Sequence, residues 1–272
     1  MRSFRNILIA LVACVAAPSW AASLSDDLLE RMSEADVVLL GEIHDNPAHH
    51  ETQRAALAAL QPKAVVWEML TGVQAGRIGA QLINRPEEMA RILDWAESGW
   101  PAFAMYYPLF KAVPGARIYG GAVPREAAMA AMQAGEAVAF GADAARYGLT
   151  VDLPPAEMAE RVELQFAAHC EAIPRDRLPA MVGIQRLRDA VLAREVLMAL
   201  EETGGPVAVI TGNGHARRDW GIPVYLDRVR PGLAVFALGQ SENGGIDGVF
   251  DAVLDSPPVE RDDPCLAFTR SN

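Results

Sequence analysis

The sequence is poor in cysteine, in positive charge and in long apolar runs, and each shortage removes a class of protein. Only 3 cysteines occur in 272 residues. Cys14 lies in a leader-like segment, which leaves Cys170 and Cys265. Two thiols so far apart make a poor zinc framework, so they are expected to form one bridge or none. Lysine and arginine number 24 against 35 acidic residues, a formal charge of -11. An acidic surface argues against nucleic acid and against docking on anionic lipid. Beyond the leader, no stretch is long and apolar enough to span a membrane. Repeats and low-complexity tracts are missing. So are the P-loop, the His-Glu-x-x-His helix and the Gly-x-Ser-x-Gly elbow. Gly212-Asn213-Gly214 opens like a dinucleotide fingerprint, but Arg217 stands where the third glycine belongs.

What is present starts with that leader. Arg2 and Arg5 precede an apolar run from Ile7 to Ala17, and Ser19-Trp20-Ala21 offers a small-x-small cleavage site. Residues 1–21 therefore read as a signal segment. A competing route treats Leu11-Val12-Ala13-Cys14 as a lipobox, with a lipid anchor on Cys14. Ordinary cleavage is favoured, because the lipobox leaves an unusually short apolar core. Both routes take the chain out of the cytoplasm, to the periplasm or to the envelope as a lipoprotein. Residues 22–272 are long enough for a single domain with helical insertions near 71–113 and 154–203.

Apolar β-type runs alternate with helical patterns, which points to an α/β fold with a mainly parallel central sheet flanked by helices. The runs are Val37–Leu40, Ala64–Trp67, Ala116–Tyr119 and Pro206–Ile210, then later ones near Val224-Tyr225, Leu233–Leu238 and Phe250–Leu254. Asn46 as N-cap and Pro47 at the first position start a helix that reaches Leu60. Met158, Val162, Phe166 and Cys170 recur every four residues as a stripe expected to face a core. A further helix runs from about Met181 to the Gly204-Gly205 stop. This block and an aromatic-rich one at Pro86–Phe110 are expected to form a smaller helical layer over one edge of the sheet.

Ligands of open α/β sheets bind beyond the carboxyl ends of the strands, and polar residues gather there in this sequence. Glu42 and His44 follow the first run, Glu68 the second, Arg125 the third and His215 the fourth. Glu68 continues directly from Val65-Val66-Trp67, so it should be at least half buried and needs a cationic or hydrogen-bonding partner, either Arg125 or a protonated histidine. His49 and His50 fall in the first turn of a helix, where exposure is expected for one of them. His169 reads as a packed or partner-bonded histidine.

These residues carry a resemblance. Val37 through Asn46, with Gly41-Glu42-Ile43-His44-Asp45 at its centre, is similar to the opening motif of the ChaN-like haem-binding uptake family. That family lies within the broader Tiki/TraB/erythromycin-esterase superfamily. Val66-Trp67-Glu68-Met69, Trp100-Pro101, Tyr107-Pro108-Leu109, Ala122-Val123-Pro124-Arg125-Glu126, Gln185 through Ala190, Thr211 through Ala216 and Asp263-Pro264-Cys265 match in order. Ala122 replaces a common asparagine, removing an amide expected in the pocket. The resemblance implies an envelope protein of haem uptake that holds haem through tyrosine ligation with histidine support, with a homodimer that shares haem between two protomers as an open expectation. Tyr107 aligns as the iron ligand, with Tyr106 adjacent. Glu42, His44, Glu68, Arg125 and His215 complete the implied haem site, in which arginine or histidine pairs with propionates.

Three readings follow. The first is haem binding and handling. The second is a metal-dependent hydrolase with zinc or manganese, in which His44 is base or ligand, Glu68 polarises water and Arg125 stabilises developing anionic charge. The third is an interaction protein without chemistry. They rank in that order.

Overall fold

A computed structural model describes residues 24–266. The leader, Cys14 included, lies outside the described residues. Six strands form one sheet: β1 (Val37–Glu42), β2 (Ala64–Trp67), β3 (Arg117–Gly120), β4 (Val207–Gly212), β5 (Val235–Glu242) and β6 (Ala252–Ser256). Their spatial order is β3-β2-β4-β1-β5-β6, and every pairing is parallel. All residues of β1, β2 and β4 are buried. That is why these strands read as unbroken apolar runs: helices cover both faces of a parallel sheet.

Alternation along the strands divides the core in two. Val37, Leu39, Val66, Val207 and Val209 face one cluster, with side chains from the helices Arg125–Ala134, Leu178–Thr203 and Ile222–Val229. Val38, Leu40, Trp67, Ala208 and Ile210 face the other. There they meet the helices Asp26–Ser33, Pro47–Leu60, Pro86–Ile92 and Phe103–Ala112. Trp67 stacks on Phe110 with centroids 3.9 Å apart. The two helical blocks expected together over one edge thus lie on opposite faces.

The helix after β1 begins as its sequence requires. The Asn46 side chain accepts from the amide of Ala48, and Pro47 opens the first turn. Two expectations are corrected. Val224-Tyr225 belongs to the helix Ile222–Val229, not to a strand. Pro223 favours a first helical turn, and Ile222, Tyr225, Leu226 and Val229 share one helical face. The stripe from Met158 to Cys170 is only half-buried. The helix Pro155–Ala168 packs on the helix Leu178–Thr203 rather than on the sheet, and its one buried residue is Arg161.

Cys170 and Cys265 form a disulfide. It joins the end of the Pro155–Ala168 helix to the tail after β6. The same tail carries Arg261, which pairs with Asp45 beyond β1 and with Glu242 at the end of β5. Among the described residues, no helix is long and apolar enough to cross a membrane.

Candidate functional site

β2, β4 and β1 are neighbours, and their carboxyl ends deliver the polar groups of the site. Glu42 is the last residue of β1, level with Gly212 of β4. Glu68 follows β2, and its amide donates to Ile210 O at 3.1 Å. Its Oε2 accepts from the Thr211 hydroxyl at 2.8 Å and the Gly212 amide at 2.7 Å. Its Oε1 faces His215 Nε2 at 3.5 Å and His44 Nε2 at 4.0 Å. Gly212 permits this approach, because a Cβ there would lie 3.0 Å from His44 Nε2.

Each imidazole is fixed from behind by a second carboxylate. Asp189, on the helix Leu178–Thr203, accepts from His215 Nδ1 at 2.6 Å. Glu42 Oε1 accepts from His44 Nδ1 at 2.7 Å and from the buried Tyr106 hydroxyl at 2.8 Å. A carboxylate only accepts, so both Nδ1 atoms carry hydrogen and both Nε2 atoms point toward Glu68. Burial works against a charge on His215, but Glu68 and Asp189 outweigh it and push its pKa up to about 9. Burial likewise lowers His44, and the Glu42 hydrogen bond with the Glu68 charge reverses that into a net rise. For Glu68, burial alone would raise the carboxyl. His215, His44, Gly212 and Thr211 instead hold it below the usual range. Burial, then the Glu42 charge, raises Tyr106, which stays a phenol donor.

A cavity of about 530 Å³ opens over these groups, within the roughly 300–1,000 Å³ typical of small-molecule and cofactor sites. Glu42, His44, Glu68 and His215 all line it. Arg161 and Leu164 from one helix and Val182, Arg188 and Asp189 from the next form a wall, with Trp100 and Trp220 at the sides. Trp100 meets the His44 ring edge-on at 4.8 Å.

Arg125 and Tyr107 are placed elsewhere. Arg125 is exposed in the first turn of its helix and does not line the cavity. Glu68 is therefore partnered by His215 and His44 rather than by Arg125, because the turn after β3 carries the Arg125 side chain outward. Tyr107 is half-buried, does not line the cavity, and its hydroxyl donates to Ile83 O at 2.8 Å. Ala122 is also outside the cavity; its amide donates to Leu70 O. Both His49 and His50 are buried, against the expectation that one is exposed. His49 Nδ1 accepts from the Ile43 amide at 2.9 Å, and His50 Nε2 donates to His44 O at 2.8 Å. These bonds hold the loop that carries His44. His169 is half-buried, with Nδ1 bonded to Gln165 O. Among the described residues, no group of three or more His, Cys, Asp and Glu is arranged to hold a metal ion.

Sequence reasoning missed Arg161, Arg188 and Trp220. The available signal was spacing: residues 161 and 164, and 182, 185, 188 and 189, each fall on one face of a helix.

Fold and site together define an α/β protein with a buried imidazole–carboxylate network beneath a cofactor-sized cavity at the sheet's carboxyl edge. The chain belongs to the haem-binding uptake, Tiki superfamily, ChaN family, whose model matches residues 28–226. The ChaN of Campylobacter jejuni, described as binding heme cofacially, is 20% identical in sequence. Its match covers 82% of this chain and 87% of that one, with a TM-score of 0.63. At that identity the likeness shows the fold. The type III effector HopBA1 is 13% identical over 85% of this chain and 91% of its own, with a TM-score of 0.46. No curated protein matches the sequence.

Proposed function

We propose that this protein binds haem in the cavity above β1, β2 and β4 and handles it outside the cytoplasm. The observation that carries the reading is the cavity itself. It has the size for a cofactor, aromatic walls at Trp100 and Trp220, and one imidazole, His44, that is one-third exposed and tied back by Glu42. Imidazole is an established haem-iron ligand, and a carboxylate on Nδ1 makes Nε2 a stronger donor. Family membership supports the same ligand.

Two residues compete as iron ligand. His44 faces the cavity, whereas the Tyr107 hydroxyl is engaged by Ile83 O outside it. Hemin titrated into the purified protein should give a saturable Soret shift that His44→Ala alters. Loss in Tyr107→Phe alone would move the haem from the cavity to the outer face of the Phe103–Ala112 helix.

The Cys170–Cys265 bridge supports export, since disulfides persist in oxidising compartments. The mass of the exported protein distinguishes cleavage after Ala21 from lipid on Cys14. Cofacial binding, as described for the Campylobacter jejuni ChaN, would stack two haems and pair two copies of the chain. Hemin-dependent dimerisation followed by light scattering tests that arrangement.

One observation favours a second reading. The Glu42–His44 pair has the geometry of an oriented general base aimed into a cavity. A hydrolase built on it would use His44 as base and Glu68 to hold the neighbouring imidazoles, with Arg125 too far out to assist. Ester or peptide turnover lost in His44→Ala, without a Soret shift in the wild type, would select this reading.

A further inference from the structure

The cavity contains three arginines, and two are already neutralised. Arg161 pairs with Glu157 and Arg217 with Asp219, each at 2.5 Å. Both guanidinium groups also lie against the Trp220 ring, 4.8 Å and 3.8 Å from its centroid. They are parts of the wall. The charges on the histidines are likewise matched, His44 by Glu42 and His215 by Asp189 and Glu68.

Arg188 is different. It lines the cavity, is half-buried, and among the described residues has no hydrogen bond or ion pair. Its charge is close enough to act against protonation of the neighbouring His215. Arg188 is fixed on the long helix, one position before Asp189 and on the face that carries Val182 and Gln185. A half-buried guanidinium without a counter-charge is a poor structural element, because desolvation is uncompensated. Its planar fork is suited to holding a carboxylate through two parallel hydrogen bonds. On a chain of net charge -11, such a group gives an anionic ligand a reason to enter.

We propose that Arg188 is the anion-binding residue of the cavity and takes a carboxylate of an otherwise apolar, planar ligand. The proposal rests on the haem reading, in which that carboxylate is a propionate. Arg188 then determines specificity by orienting the ring, with one acidic edge toward the Leu178–Thr203 helix and the apolar body between the tryptophans.

The test compares hemin with hemin dimethyl ester, in which both propionates are masked, on the full exported chain. Wild type, Arg188→Gln and Arg188→Lys are titrated with each. Losing a charge-assisted hydrogen-bonded pair should weaken hemin binding by about tenfold to a hundredfold in Arg188→Gln. The diester should bind the wild type and Arg188→Gln alike, and Arg188→Lys should recover part of the hemin affinity. The melting temperature should not fall, since Arg188 has no hydrogen bond or ion pair among the described residues to lose. Equal losses for hemin and its diester, or no loss for either, would overturn the proposal while leaving haem binding intact. Failure of the wild type to bind either porphyrin would overturn the haem reading and this assignment with it.

Discussion

His215 holds its two ring nitrogens between two buried carboxylates, Nδ1 at 2.6 Å from Asp189 Oδ1 and Nε2 at 3.5 Å from Glu68 Oε1. The three residues come from a long helix, the turn after β4 and the end of β2. Their contact therefore ties the sheet's carboxyl edge to the helix that walls the cavity. A positive imidazole between two negative groups also explains how Glu68 stays ionised while buried.

That arrangement makes stability depend on pH in a defined direction. The folded-state pKa of His215, about 9, lies above the ordinary 6.5. Its stabilisation is fully present below pH 6.5 and is lost as pH rises through 9. The amount is on the order of 3 kcal/mol. Urea midpoints measured across this window should fall for the wild type and stay nearly level for His215→Gln. Parallel curves would show that His215 does not carry the charge.

Glu68 should be the costliest of the network to truncate. Glu68→Ala leaves His215 and His44 with one counter-charge fewer in a buried site, which costs roughly 3–5 kcal/mol. Thr211→Val removes only one hydrogen bond to Glu68 and should cost about 1 kcal/mol. Equilibrium denaturation of both variants checks the order, and a smaller loss for Glu68→Ala would contradict it.

Much of this network was legible in the sequence because parallel central strands announce themselves. Val37–Leu40, Ala64–Trp67 and Pro206–Ile210 are unbroken apolar runs, and their ends locate Glu42, Glu68 and His215. The placement of the other partners was not legible. Arg161 sits on a helix whose apolar stripe points to packing, and Arg188 lies inside the matched segment Gln185–Ala190, where one residue in a helix carries no sign of which cavity it lines. His49 and His50 looked exposable because the groups that bury them, such as Ser256 and the carbonyl of His44, are fixed by tertiary contact. Arg125 was drawn into the site by its strand-end position, but the direction of a side chain after a Gly-Gly-x-x-Pro turn is not encoded by position alone.

The disulfide should matter to the cavity wall as well as to stability. Cys265→Ser frees the tail from the end of the Pro155–Ala168 helix, which contributes Leu164 and Arg161 to the cavity. Closing so long a loop is worth roughly 2–5 kcal/mol. Calorimetry should show the loss, and limited proteolysis should find new cleavage in that helix. Unchanged melting and proteolysis would mean that Arg261 and its two carboxylates hold the tail unaided.

The most direct test blocks the cavity from within. A Cβ added at Gly214 would meet no atom within 4 Å, and the residue lines the cavity, so Gly214→Phe should narrow the space at little cost to the fold. Titrated with hemin, the wild type should show a saturable Soret shift and Gly214→Phe should lose it at an unchanged melting temperature. Wild-type affinity in the blocked variant would mean that haem does not bind there.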